Sequence, residues 1–165
     1  MKFVTYSLGE GTNYRFGFKK NEYIIDTIRA SIWANESKGD FSYLEIPSSL
    51  KKALENWEIN LKKLQKLKAI LPEVNIQSHS AGNKPIAIHE NEVSLFPPVP
   101  NPQSFRNFYA FEKHVLATRE ILGLNMNPNW YKIPIFYFSN PASLYGHNSK
   151  ILYPGGTSEL DFELE

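Results

Sequence analysis

The chain has 165 residues, 18 basic and 17 acidic side chains for a formal net charge of +1, and no cysteine. Near-neutrality argues against a dedicated nucleic-acid binder, which needs a concentrated basic surface. The lack of cysteine excludes disulfides, thiol catalysis and zinc–thiolate sites. With 42% hydrophobic and 14% aromatic residues there is material for a core. No apolar run reaches the ~20 residues of a membrane span, and the opening MKFVTYSLGEG lacks a signal-peptide pattern. A cytoplasmic protein with no membrane and no nucleic-acid partner is therefore expected.

In chain order, KFVTYS (2–7), YRFGF (14–18) and EYIID (22–26) are β-branched and aromatic runs separated by GEGTN and KKN, which have turn compositions. They predict a small antiparallel meander. A short helix is expected over 27–36. After PSS (47–49), Leu50, Leu54, Trp57, Leu61, Leu64, Leu67 and Leu71 recur at spacings of three and four until Pro72. That periodicity predicts one amphipathic helix from about Leu50 to Leu71, with a lysine-rich solvated face. Two short strands are expected near 85–89 and 93–96.

FPPVPNPQS (96–104) holds four prolines in nine residues and reads as a rigid, extended connector. A domain boundary is placed near 80–100, dividing the chain into 1–92 and 93–165. FRNFYAFEKHVLATREILG (105–123) reads as a helix closed by Gly123. Strands are then expected at IPIFYF (133–138), KILYP (150–154) and the terminal ELDFELE. The predicted fold class is α+β.

Few groups could carry chemistry. On the predicted helix, Asn107 and His114 stand seven residues apart, almost two turns, and would share a face. A single histidine on such a face is either structural or a proton carrier. In LDFELE, strand alternation would put Leu160, Phe162 and Leu164 on one side and Asp161, Glu163 and Glu165 on the other. An E-x-E pair is either a solvated face or two oxygen ligands for a hard cation. His79, His89 and His147 lack zinc-site spacing and read as surface residues. Tyr109 and Tyr137 read as core aromatics whose hydroxyls could face a cleft. P-loop, dinucleotide fingerprint and nucleophile elbow are all missing.

Taken in order, LFPPVPNPQSFRNFYAFEKHVLATRE, NPNWYKIPIFYFSNPASLYG and YPGG…LDFELE resemble the fumarylacetoacetase (fumarylacetoacetate hydrolase) family over about 93–165. Residues 1–92 look like the smaller N-terminal domain that precedes the catalytic part in many members. The resemblance implies a mixed β-barrel or roll that begins at 93, holds Mg²⁺ or Ca²⁺, and cleaves C–C bonds of acylpyruvate-like diketo or 2-oxo acids. It implies metal ligands at Glu163 and Glu165, a water-activating His114, and substrate-contacting Tyr109 and Tyr137. The family's aspartate ligand corresponds to Asn107, and the substrate-contacting arginine of true fumarylacetoacetases corresponds to Gly123. Both departures point away from fumarylacetoacetate itself as substrate.

The family's catalytic domain runs well past the E-x-E strand, so the chain is expected to be its front part only. A complementary C-terminal polypeptide and a homodimer in the complete form are the expected partners. Two other readings stand beside the enzyme: a non-catalytic remnant or subunit that needs the missing half, and an unrelated α+β binding module.

Overall fold

The computed structural model describes residues 1–9, 11, 13–38 and 45–162. The fold is mixed α+β, and the chain divides into two compact units. One comprises Met1–Pro100 with the described part of Tyr145–Glu165, the other Asn101–Leu144.

In the first unit the expected meander forms: β1 (Lys2–Leu8), β2 (Arg15–Lys20) and β3 (Tyr23–Asp26) pair antiparallel in sequence order. Asn21, with φ of 56°, takes the left-handed corner between β2 and β3, a conformation asparagine tolerates better than most residues. Helix α1 (Thr27–Lys38) starts where Asp26 Oδ1 accepts the backbone N–H of Arg29, three residues on, at 2.9 Å, an N-cap contact.

The predicted long helix is broken into α2 (Leu50–Glu55) and α3 (Trp57–Ile70). Leucine spacing across 50–71 is compatible with one rod, but Asn56 leaves the helical region at φ −141°, ψ 64°. The buried Asn60 side chain donates to the Ala53 carbonyl at 3.0 Å and so satisfies an acceptor left over at the end of α2. As a result Leu54, one of the predicted stripe residues, is half-exposed.

A two-residue pair, β4 (Ser80–Ala81) and β5 (Lys84–Pro85), precedes β6 (Ala87–His89) and β7 (Val93–Phe96). β6 pairs with β3 and β7 with β1, closing a curled antiparallel sheet of order β6-β3-β2-β1-β7. Alternation sends Phe16, Phe18 and Ile25 to one face. There they pack with Trp33 and Ala34 of α1, Ala53 of α2, and Leu64 and Leu67 of α3. The other face carries Tyr6, Ile24 and Ile88. On this second face the Tyr6 ring of β1 reaches across β2 to Asp26 of β3, its hydroxyl donating to Oδ2 at 2.5 Å. Gly17 makes the crossing possible, since a Cβ there would stand 3.1 Å from the Tyr6 ring and 2.6 Å from the Ile25 carbonyl oxygen.

The proline-rich stretch leaves β7 along the same unit, where the Thr5 hydroxyl donates to the Pro98 carbonyl at 2.7 Å and Val99 packs on the core. The second unit opens with β8 (Phe105–Phe108), then α4 (Glu112–Ile121), a 3-10 turn at Pro128–Tyr131, and β9 (Phe136–Ser139). β8 and β9 form an antiparallel pair.

Residues 105–108 are thus strand, where the sequence reading expected helix. FRNF and FYFS each alternate, and pairing them places Arg106 against the Phe136 and Phe138 rings, at 4.7 Å from the second centroid. Cross-strand contacts of this kind outweigh weak local helix preference. Helix α4 runs only from Glu112 to Ile121, and Gly123 follows it with a φ of 66°, which suits the left-handed position after a helix. KILYP is not a strand, and neither are Leu160, Asp161 and Phe162; the rest of the expected terminal strand lies outside the described residues.

Candidate active site

Four of the six candidate residues fall in the second unit, and the hairpin decides how they meet. Asn107 and Tyr137 are direct cross-strand partners of β8 and β9. Their side chains therefore share a face, with Cβ atoms roughly 4.5–5.5 Å apart. The ladder continues past β8, the Tyr109 N–H donating to the Ile135 carbonyl at 3.1 Å. Two residues beyond Asn107, Tyr109 falls on the same side of the hairpin.

The chain then turns into α4, and His114 stands in that helix's first turn, on its exposed side. Tyr109 and His114 meet edge to face, ring centroids 6.0 Å apart and planes at 84°. Asn107 and His114 consequently do not share a helix face, because Asn107 is on a strand. What connects them is Tyr109, the next residue along the hairpin face. Tyr137 is 74% exposed and Tyr109 half-buried, so one phenol stands in solvent and the other is partly packed.

Glu163 and Glu165 lie outside the described residues. Asp161, the neighbouring carboxylate, is exposed and accepts the Phe162 backbone N–H at 2.8 Å. Among the described residues no three His, Asp or Glu side chains cluster closely enough to hold a metal ion.

Sequence reasoning missed the residues that brace this corner. Trp130 Nε1 donates to the Tyr109 carbonyl at 2.7 Å, and the Tyr131 hydroxyl donates to Glu112 Oε1, also at 2.7 Å. That second bond, helped by slight desolvation and the carboxylate's charge, raises the exposed Tyr131 phenol above its ordinary pKa. The signal was present in NPNWY: Asn127 and Pro128 start a tight turn, and aromatics with a polar tip in such a turn usually find a partner.

The first unit has a polar cleft of about 880 Å³ in which none of the candidate residues takes part. It is lined by Lys19, Glu90 and His147, among others, and lies beside β7. Lys19 hydrogen-bonds Glu90 and holds that carboxyl below its usual range. Gly146 packs so tightly on β7 that a Cβ would approach the Leu95 carbonyl oxygen to 2.1 Å. His79 and His89 are likewise engaged in ring contacts, with Trp33 and Tyr23.

Residues 103–165 match the model of the fumarylacetoacetate (FAA) hydrolase C-terminal family, consistent with a fragment of a protein of that family. The family is one of metal-dependent hydrolases and lyases. No curated protein matches the chain. No helix among the described residues is long and apolar enough to cross a membrane.

Proposed function

We propose that this chain serves a divalent-metal-dependent hydrolase or lyase that breaks a carbon–carbon bond in an acylpyruvate-like or other 2-oxo acid in the cytoplasm. The observation that carries the reading is the family match over 103–165, which spans all six candidate residues. The opposition of Asn107 to Tyr137 and the Tyr109–His114 contact support it, since they gather separate motifs into one corner.

The donors that would hold the ion are the Asn107 amide oxygen and the carboxylates of Glu163 and Glu165. An all-oxygen set suits Mg²⁺ or Ca²⁺ rather than a softer metal. A divalent ion bound there would supply Lewis acidity to the chelated oxo groups and stabilise the enolate that leaves. His114 takes the proton from the attacking water, imidazole being the side chain suited to proton transfer near neutrality. Tyr109 and Tyr137 offer hydroxyls to the substrate's oxygens.

The test follows acylpyruvate consumption by its enol absorbance in Mg²⁺ or Ca²⁺. His114→Ala is expected to abolish turnover while calorimetric metal binding persists. Undiminished turnover in that variant would sink the assignment.

A second reading, a subunit that works only with a separately supplied C-terminal polypeptide, is favoured by exposure. Val115 is the one buried hydrophobic side chain among the described residues of the second unit, whereas Phe108, Phe111, Ile121 and Phe138 are exposed. Covering such side chains is worth roughly 1.5–3 kcal/mol each. Turnover that appears only on adding that polypeptide would select this reading; sedimentation would separate it from a homodimer.

A further inference from the structure

We infer that Trp130 and Tyr131 are positioning residues that clasp the turn between β8 and α4 and thereby set where the His114 imidazole stands. The inference deepens the function proposed above and rests on His114 being the proton carrier there.

The turn has little to hold it locally. Three residues, Tyr109, Ala110 and Phe111, separate β8 from α4, and the N-cap residue Phe111 has no side-chain oxygen with which to satisfy the helix's first N–H groups. Its position is fixed from outside instead. Trp130 Nε1 grips the Tyr109 carbonyl and the Tyr131 hydroxyl grips Glu112, both at 2.7 Å. These adjacent residues thus hold the two ends of the same turn.

The clasp is itself anchored. It lies on the 3-10 turn Pro128–Tyr131, where Asn127 Oδ1 accepts the Asn129 N–H at 2.9 Å and the Asn127 carbonyl accepts the Trp130 N–H at 3.0 Å. From the other direction, the Ile135 carbonyl receives the Tyr109 N–H. Tyr109 is therefore held through both its backbone groups, and its ring abuts His114. Loss of the indole N–H frees one of those groups, and the ring and the first turn of α4 can then shift together.

The experiment uses the full chain and reads His114 directly. Imidazole proton resonances are assigned by comparison with His114→Ala, and Tyr109→Leu provides the shift without the neighbouring ring. Trp130→Phe keeps an aromatic ring and removes the donor. It is expected to move the His114 resonance most of the way to its Tyr109→Leu position, with secondary structure retained by circular dichroism. Tyr131→Phe removes one exposed hydroxyl and is expected to move it the same way by less. Where turnover is measurable, Trp130→Phe lowers kcat about 10- to 100-fold with KM within about twofold, as slight misplacement of a catalytic group does. A His114 resonance unmoved in folded Trp130→Phe overturns the inference. Should Trp130→Phe not fold, an unmoved resonance in Tyr131→Phe overturns it. The functional reading fails separately, by undiminished turnover in His114→Ala, and the resonance shifts remain readable in that event.

Discussion

Asp26→Ala is expected to be a strongly damaging substitution at a buried polar site of the first unit. The Asp26 side chain is 1% exposed and its carboxylate accepts from four donors. These are the Tyr6 hydroxyl at 2.5 Å, Arg15 Nε and Nη2 at 2.6 Å, and the Arg29 N–H that starts α1. Removing one side of a buried ion pair costs about 3–5 kcal/mol. The lost helix cap is worth about 1 kcal/mol of this, and the stranded Tyr6 hydroxyl, fully buried, about 1–3. Arg15 keeps 27% of its side chain in solvent and can rehydrate, which places the expected total near the lower bound of about 3 kcal/mol. At a slope of ~2 kcal/mol per molar, the urea midpoint falls by about 1.5 M.

Trp33 and Trp57 report this unfolding by fluorescence, because both belong to the first unit and pack on its core. Tyr6→Phe is the milder companion, and its signature is in pH. Burial, reinforced by the Asp26 carboxylate, pushes the Tyr6 phenol far above its ordinary value of about 10. Its contribution is therefore full below pH 10 and is lost as pH rises from there toward the raised folded value, because the unfolded phenol ionises first. Tyr6→Phe should flatten that alkaline decline. An Asp26→Ala midpoint within 0.3 M of wild type, roughly 0.6 kcal/mol at that slope, would refute the view that this carboxylate joins the sheet to α1.

Other outcomes are as definite. Gly17→Ala has no room beneath Tyr6 and against the Ile25 carbonyl, and should cost about 1–3 kcal/mol in thermal melts, whereas Gly155→Ala, with nothing near its Cβ, should be nearly neutral. Asn60→Leu strands the Ala53 carbonyl at the break between α2 and α3 and should destabilise by about 1–3 kcal/mol; an unchanged melt would show that water replaces the amide. Lys19→Ala should raise the Glu90 carboxyl toward its ordinary value in a carbon-detected titration, while in the wild type this pair's stabilisation is lost as pH falls through the depressed Glu90 value. Asn107→Asp should tighten Mg²⁺ or Ca²⁺ in calorimetry by adding a charge to the donor set, and unchanged affinity would remove Asn107 from it.

Local chemistry made the meander legible in the sequence. The runs 2–7, 14–18 and 22–26 are rich in β-branched and aromatic residues, and the turn residues between them favour antiparallel pairing. The start of α1, the stop of α4 at Gly123 and the motifs that carry Asn107, Tyr109, His114 and Tyr137 were equally readable, since each depends on residues a few positions apart. Tertiary contacts decided what local pattern left ambiguous. Whether 105–108 is strand or helix depends on a partner some thirty residues away, β9, whose aromatic face rewards pairing with Arg106 and Phe108. Leucine spacing at 50–71 is blind to a buried Asn60 that satisfies the carbonyl of Ala53 and stabilises a break. NPNWY signals a turn whose aromatic tips seek partners, but it does not say that the partner of the Trp130 indole is the Tyr109 carbonyl. Hydrogen bonds between distant segments form only once the hairpin and α4 have brought their groups within 3 Å, and no one-dimensional period encodes that distance.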